Sequence, residues 1–171
     1  MKEDWGEAIL RSLKGNGMRL VTTVPDLVIG RLLTAMADDP FFETVTLTRE
    51  EEGIGILSGA YLGGRRGTLM MQVSGLGNCI NGLASLALPY QIPFLMLISQ
   101  RGELGEFNPC QINMGRSARP ILEALGIQHF TLRWPHEIET IVEGAIKTAY
   151  SGQTPVAVFL SAELVGWKEE E

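Results

Sequence analysis

The sequence predicts an α/β protein built on a six-stranded parallel sheet with helices on both faces. Three observations carry that expectation. Six short runs rich in β-branched and apolar residues alternate with segments of helical period. The run from Pro93 to Ser99 is apolar nearly throughout, as strands are when a parallel sheet is covered on both faces. The sharpest motifs fall where a strand hands over to a helix, which is the edge at which such sheets bind ligands.

Taken in order, residues 3–15 read as an amphipathic helix with Trp5, Ile9 and Leu13 at helical spacing, ended by Gly15-Asn16-Gly17. Met18 to Thr23 is the first strand. Val24-Pro25-Asp26 is a turn into a helix over 26–37, which Asp38-Asp39-Pro40 terminates. A second strand over 43–48 feeds a helix over 50–63, and Gly63 to Gly67 is a loop. Thr68 to Val73 is the third strand. Ser74-Gly75-Leu76-Gly77-Asn78 is a tight turn into a helix over 78–90, and residues 93–99 are the fourth strand. From Gln100 to Arg116 no period is sustained, and a loop of that length in a compact domain is usually functional. A helix over 117–126, a strand over 129–133, a helix over 135–151 and a strand over 156–161 complete the alternation. Lys168 to Glu171 read as a solvated charged tail.

Length and composition bound the function. A chain of 171 residues is most simply one domain, large enough to bury ~70% of its unfolded surface without staples. Its net charge of −6 and lack of any Arg/Lys run argue against nucleic acid as a partner. Cys79 and Cys110 form no CxxC, and with only His129 and His136 to join them no metal site of the His/Cys kind is expected. No signal-type N-terminus and no apolar run near ~18 residues is present, so the expectation is a cytoplasmic protein with reduced thiols and no membrane span.

The stretch Thr48 to Tyr61 organises the rest. Three acids, Glu50, Glu51 and Glu52, open a helix that carries Gly55, Gly59 and Gly63 at four-residue spacing. Each helical Gly costs roughly 1 kcal/mol against Ala, so a smooth face for close backbone approach is the expected return. The acids have an ordinary explanation too: Thr48 with Glu51 three residues on is a capping box, and acids suit a helix N-terminus. Other chemistries fail on inspection. Gly75-Leu76-Gly77 is no dinucleotide fingerprint, because Ile80 occupies the third glycine position. Ser74 is no nucleophile-elbow serine, because Gln72 stands where glycine is needed. Ser74 to Asn78 can also be read simply as a tight strand-to-helix turn.

These motifs together carry a resemblance. Glu51 stands ten residues before Tyr61 with small residues between, and the next strand ends in Ser74-Gly75-Leu76-Gly77. That pattern resembles the pyrimidine-binding domain of thiamine-diphosphate enzymes. Thr48 to Gly53, Ser74 to Asn78 and Arg101-Gly102-Glu103-Leu104-Gly105 resemble more closely the alpha-subunit family of sulfopyruvate decarboxylase and the phosphonopyruvate decarboxylase group. The resemblance covers nearly the whole chain. It implies a single pyrimidine-binding domain over 1–171 and a lyase of coenzyme M biosynthesis that converts 3-sulfopyruvate to sulfoacetaldehyde and CO2. It implies Glu51 as the carboxyl that hydrogen-bonds the cofactor's N1′, with Glu50 and Glu52 solvated or paired. It also implies cofactor contacts from Pro25, Ser74, Gly75, Leu76 and Asn78. Burial would raise the pKa of such a carboxyl and a helix N-terminus would lower it.

The family's diphosphate and Mg²⁺ motif is Gly-Asp-Gly followed by Asn. Here Asp4, Asp26, Asp38 and Asp39 are the only aspartates, and none precedes glycine. The resemblance therefore implies half an active site, completed in a hetero-oligomer by a beta subunit that holds the metal and diphosphate. The chain departs from the phosphonopyruvate pattern at Leu27, at Gln72-Val73-Ser74 and at Pro109-Cys110-Gln111. That favours the sulfopyruvate type and leaves open which small 2-oxo acid is used. Asp26, Arg101, Gln111 and Arg116 are the candidate substrate contacts; as ordinary loop residues they would need no such role. A non-catalytic α/β module binding a partner through the same edge is the other reading.

Overall fold

The computed structural model describes residues 4–166. The expected tail, Lys168 to Glu171, lies outside them, as does residue 3 of the first helix. The six strands are β1 (Met18–Thr23), β2 (Glu43–Thr46), β3 (Arg66–Gln72), β4 (Leu95–Ser99), β5 (His129–Leu132) and β6 (Val156–Leu160). They form one sheet in the order β2-β1-β3-β4-β6-β5, and every pairing is parallel. The helices are α1 (Trp5–Gly15), α2 (Gly30–Asp38), α3 (Glu50–Leu62), α4 (Gly75–Gly82), α5 (Pro109–Ala124), α6 (Ile138–Gly152) and the short α7 (Ala162–Val165).

The continuous apolar strands are explained by two cores, one on each face. In β4, Leu95 and Leu97 join α1, α2 and α6, while Met96 and Ile98 join α3, α4 and α5. In β6, Val156, Val158 and Leu160 face the first group, and Ala157 and Phe159 the second. Side chains that alternate across a strand both meet helices, so neither set can be polar.

Chain order reverses at β1. From β1 the chain steps outward to β2, then returns over β1 by α3 and lays β3 on the other side. The crevice of an open parallel sheet lies at such a reversal, beyond the carboxyl ends of the strands. Here those ends are Thr23 and Gln72, with the N-terminus of α3 beside them.

Several boundaries differ from expectation for local reasons. The second helix begins at Gly30, not at residue 26, because the Asp26 carboxylate is used across the sheet instead of as a cap. The irregular stretch after β4 ends at Pro109, not at Arg116. Asn108 caps α5 by accepting from the Cys110 N–H at 3.0 Å, and Pro109 occupies the first turn, where its missing N–H costs nothing. The helix after β3 starts at Gly75 and passes into a π-helical segment, Leu83–Ala87. The short helix α7 has no periodic signal in the sequence; the Ser161 hydroxyl caps it at Leu164.

Candidate active site

The three acids at the head of α3 do three different things. Glu52 accepts a hydrogen bond from the Thr48 N–H at 2.9 Å. The reciprocal cap therefore belongs to Glu52, and the Thr48–Glu51 capping box is not formed; the N-cap is Arg49, without a side-chain cap. Glu50 is half-buried and turned toward α4. Its carboxylate accepts from Asn78 Nδ2 at 2.7 Å, and its stem lies on Gly75, where an added Cβ would stand 2.5 Å from Glu50 Cγ. Glu51 points to solvent, with its side chain 42% exposed, and pairs with Arg49 at 3.1 Å. Arg49 also reaches Asn78 Oδ1 at 3.3 Å, so Asn78 bridges the two acids. Behind them Cys79 is buried, and its thiol is pushed up to about 12 by burial and then by the charges of Glu50 and Glu51. It is an inert core residue.

The glycines of α3 differ from expectation. Gly55 and Gly59, the first two of the four-residue series, have open space where a Cβ would be. Within this chain the glycine face is uncovered. The close approach is made by Gly53, where a Cβ would meet Leu69, Thr22 and Leu47 at 2.8 to 3.0 Å. That one glycine lets α3 settle onto β1 and β3.

At the ends of β1, β3 and β4 a polar network joins the loops. Asp26 accepts from Gln72 Nε2 at 3.1 Å through one oxygen and from Ser99 Oγ at 2.6 Å through the other. Ser74 Oγ donates in turn to Gln72 Oε1 at 2.9 Å. Pro25 and Ser74 are exposed beside this network, while Gly75 and Leu76 are buried at the start of α4.

Arg101 is committed elsewhere. Its guanidinium meets Glu106 in two bonds of 2.7 and 2.6 Å, with the two side chains only 11% and 6% exposed. Glu106 also accepts from the Gly102 and Asn108 N–H groups at 3.1 and 3.0 Å. That set holds the Glu106 carboxyl at about 2, well below its ordinary 4.5, with the Arg101 bonds as the main cause. Gln111 is half-buried, and its Oε1 is buried without a hydrogen-bond partner. Arg116 lies two turns into α5, in a shallow surface depression with Asn113, Ser117 and Pro120.

Pro25, Asp26, Ser74, Gly75, Leu76 and Asn78 thus come together with Glu50 and Glu51 at the chain reversal. Arg101 is bound into its own loop and Arg116 sits on an outer helix face. Sequence reasoning missed Arg49, Ser99 and Glu106. Ser99 had a signal, a polar residue closing an apolar strand; Glu106 had none, because its partner lies five residues away in a stretch without period.

No protein-family model matches the chain. It is 40% identical to "Sulfopyruvate decarboxylase subunit alpha" of Methanococcus maripaludis over 91% of this chain and 93% of that one. It is 33% identical to "Sulfopyruvate decarboxylase" of Methanosarcina acetivorans over 96% of this chain, but only 41% of that protein. Identity to "Phosphonopyruvate decarboxylase" of Streptomyces viridochromogenes is 35% over 67% of this chain and 29% of that protein. With a similarity that runs almost end to end, this chain belongs to the sulfopyruvate decarboxylase alpha-subunit family.

Proposed function

We propose that this chain is the pyrimidine-binding half of a cytoplasmic thiamine-diphosphate-dependent decarboxylase. In this reading 3-sulfopyruvate loses CO2 and takes up a proton to give sulfoacetaldehyde. A beta subunit holds Mg²⁺ and the diphosphate. The observation that carries the reading is Glu51: a carboxylate exposed at a helix N-terminus, beside the chain reversal of a parallel sheet.

When bound, the cofactor supplies the electron sink for decarboxylation. The residues present fit its aminopyrimidine end. Glu51 is accessible, Pro25 and Ser74 line the same edge, and the exposed Gly77 has only Met114 Sδ near the position of a Cβ, at 3.7 Å. In the complex Glu51 would hold a proton toward the pyrimidine N1′, and Arg49 would have to yield that carboxyl. The exposure of Glu51 in the single chain supports a site completed from outside. So does the Methanosarcina relative, whose length leaves room for a second domain in one polypeptide.

The deciding experiment is an assay of the two-chain complex against sulfopyruvate, phosphonopyruvate and pyruvate, with and without thiamine diphosphate. Cofactor-dependent CO2 release from sulfopyruvate is expected to dominate. Equal or faster turnover of phosphonopyruvate would move the substrate assignment, and no turnover of any 2-oxo acid would favour a non-catalytic module.

A further inference from the structure

Asp26 came from the sequence as a substrate candidate, but both of its carboxylate oxygens have protein donors. Gln72 and Ser99 are direct register partners on β3 and β4, so their side chains stand on the same face of the sheet. The chain leaving β1 descends over that face, and Asp26 drops between them. Ser99 is fully buried, so its hydroxyl has Asp26 as its hydrogen-bond acceptor at 2.6 Å and no solvent alternative. The chain of bonds runs on from Gln72 to Ser74, the residue that opens α4.

We infer that Asp26 is a positioning residue: it fastens the ends of β1, β3 and β4 to one another and so sets Pro25 and Ser74 against each other across the crevice. The inference rests on the proposed function only for what Pro25 and Ser74 then touch. The fastening is a property of this chain alone. It works because one side chain presents two terminal atoms, each hydrogen-bonded to the end of a different strand.

The bonding pattern makes a prediction that a substrate contact would not. In Asp26→Asn, the Gln72 amide can turn over. The new Nδ2 then donates to Gln72 Oε1, Gln72 Nε2 donates to Ser74 Oγ, and Ser99 still donates to the remaining Oδ1. Every bond survives: the two made by Gln72 with their polarity reversed, and the one from Ser99 unchanged. In Gln72→Glu, by contrast, two carboxylates would face each other at the present 3.1 Å contact. In the double variant Asp26→Asn with Gln72→Glu, the carboxylate has changed places with the amide and the network closes again.

The test uses Asp26→Asn, Asp26→Ala, Gln72→Glu and the double variant, each read in two ways. On the single chain, thermal unfolding is expected to place Asp26→Asn and the double variant near wild type, and Asp26→Ala and Gln72→Glu clearly below it. In the two-chain complex, calorimetry with thiamine diphosphate is expected to give a Kd within about threefold of wild type for the first pair and at least about tenfold weaker for the second. Rescue of Gln72→Glu by the second substitution, in both readouts, is the decisive result. If Asp26→Asn is as damaging as Asp26→Ala, or the double variant is no better than Gln72→Glu, the carboxylate itself is required and the inference falls. If unfolding follows the pattern while thiamine diphosphate binds no variant and no wild type, the fastening stands and the cofactor reading fails.

Discussion

At the scale of single residues, three neighbouring glutamates separate by what each one faces. Glu52 satisfies a backbone N–H, so Glu52→Ala is expected to cost about 1 kcal/mol, as losses of helix caps do. Glu51 is a surface acid paired with Arg49, and such pairs contribute little to stability. Glu51→Gln should therefore leave the unfolding free energy of the single chain within about 0.5 kcal/mol of wild type. In the two-chain complex the same substitution should lower kcat on the order of 10²-fold or more, as expected for a positioned acid–base group. Glu50→Gln keeps an oxygen to accept from Asn78 and is expected to keep most of the turnover. Steady-state kinetics on the two variants decide between the acids: loss with Glu50→Gln and retention with Glu51→Gln would exchange their roles.

At the scale of elements, the segment after β4 is a built structure and not a slack loop. Glu106 gathers the Arg101 guanidinium and two backbone N–H groups, and Gly115 of α5 packs so closely that an added Cβ would lie 1.9 Å from the Arg101 carbonyl oxygen. Gly115→Ala should therefore displace the loop from α5, visible as lost protection of the Gly102 and Asn108 amides in hydrogen exchange. Glu106→Ala leaves Arg101 buried without its counter-ion, and a loss of about 3 kcal/mol is expected on chemical denaturation. The pH dependence has a definite sign. The Glu106 pKa is lower in the folded chain, about 2, than its ordinary 4.5. Its contribution is thus fully present above about pH 4.5 and is lost as pH falls toward 2. Acid titration of the wild type should lose stability across that window, and Glu106→Gln should flatten that part of the curve.

At the scale of the molecule, the chain presents an uncovered helix face beside the edge where the candidate residues meet. Gly59 has open space around it, so Gly59→Leu should leave the folding of the single chain intact, or improve it by helix propensity. If α3 packs against a neighbouring subunit, the same change should break the assembly. Light scattering on the complex checks this, and an unchanged oligomer with normal activity would show that the face is free. The single chain is also expected not to bind thiamine diphosphate usefully, even with excess Mg²⁺. The cofactor's diphosphate needs a metal and oriented N–H groups, and a net charge of −6 offers it no general attraction. Adding the partner should create the site, and the cofactor should then tighten the complex by linkage. Tight Mg²⁺-dependent binding to the lone chain in calorimetry would overturn the half-site reading.

The amino-acid sequence by itself determined the α/β class, the six strands and the edge that carries the motifs. Those depend on local period and on composition, and strands covered on both faces must be apolar wherever they pair. It also determined the family, because Glu51 to Tyr61 and Ser74 to Asn78 keep their spacing along the chain. Only the tertiary structure decided which acid caps α3, where α2 begins, and which groups Asp26 and Arg101 bond. A one-residue change of register at a helix start turns a carboxylate from a cap into an exposed group, and both Thr48–Glu51 and Thr48–Glu52 read acceptably on paper. Asp26, Gln72 and Ser99 are far apart in the chain and meet because β1, β3 and β4 are adjacent, an order set by the return of α3 over β1. The uncovered Gly55 and Gly59 have the same origin: spacing along a helix defines a face, but what covers that face depends on everything else that packs around it.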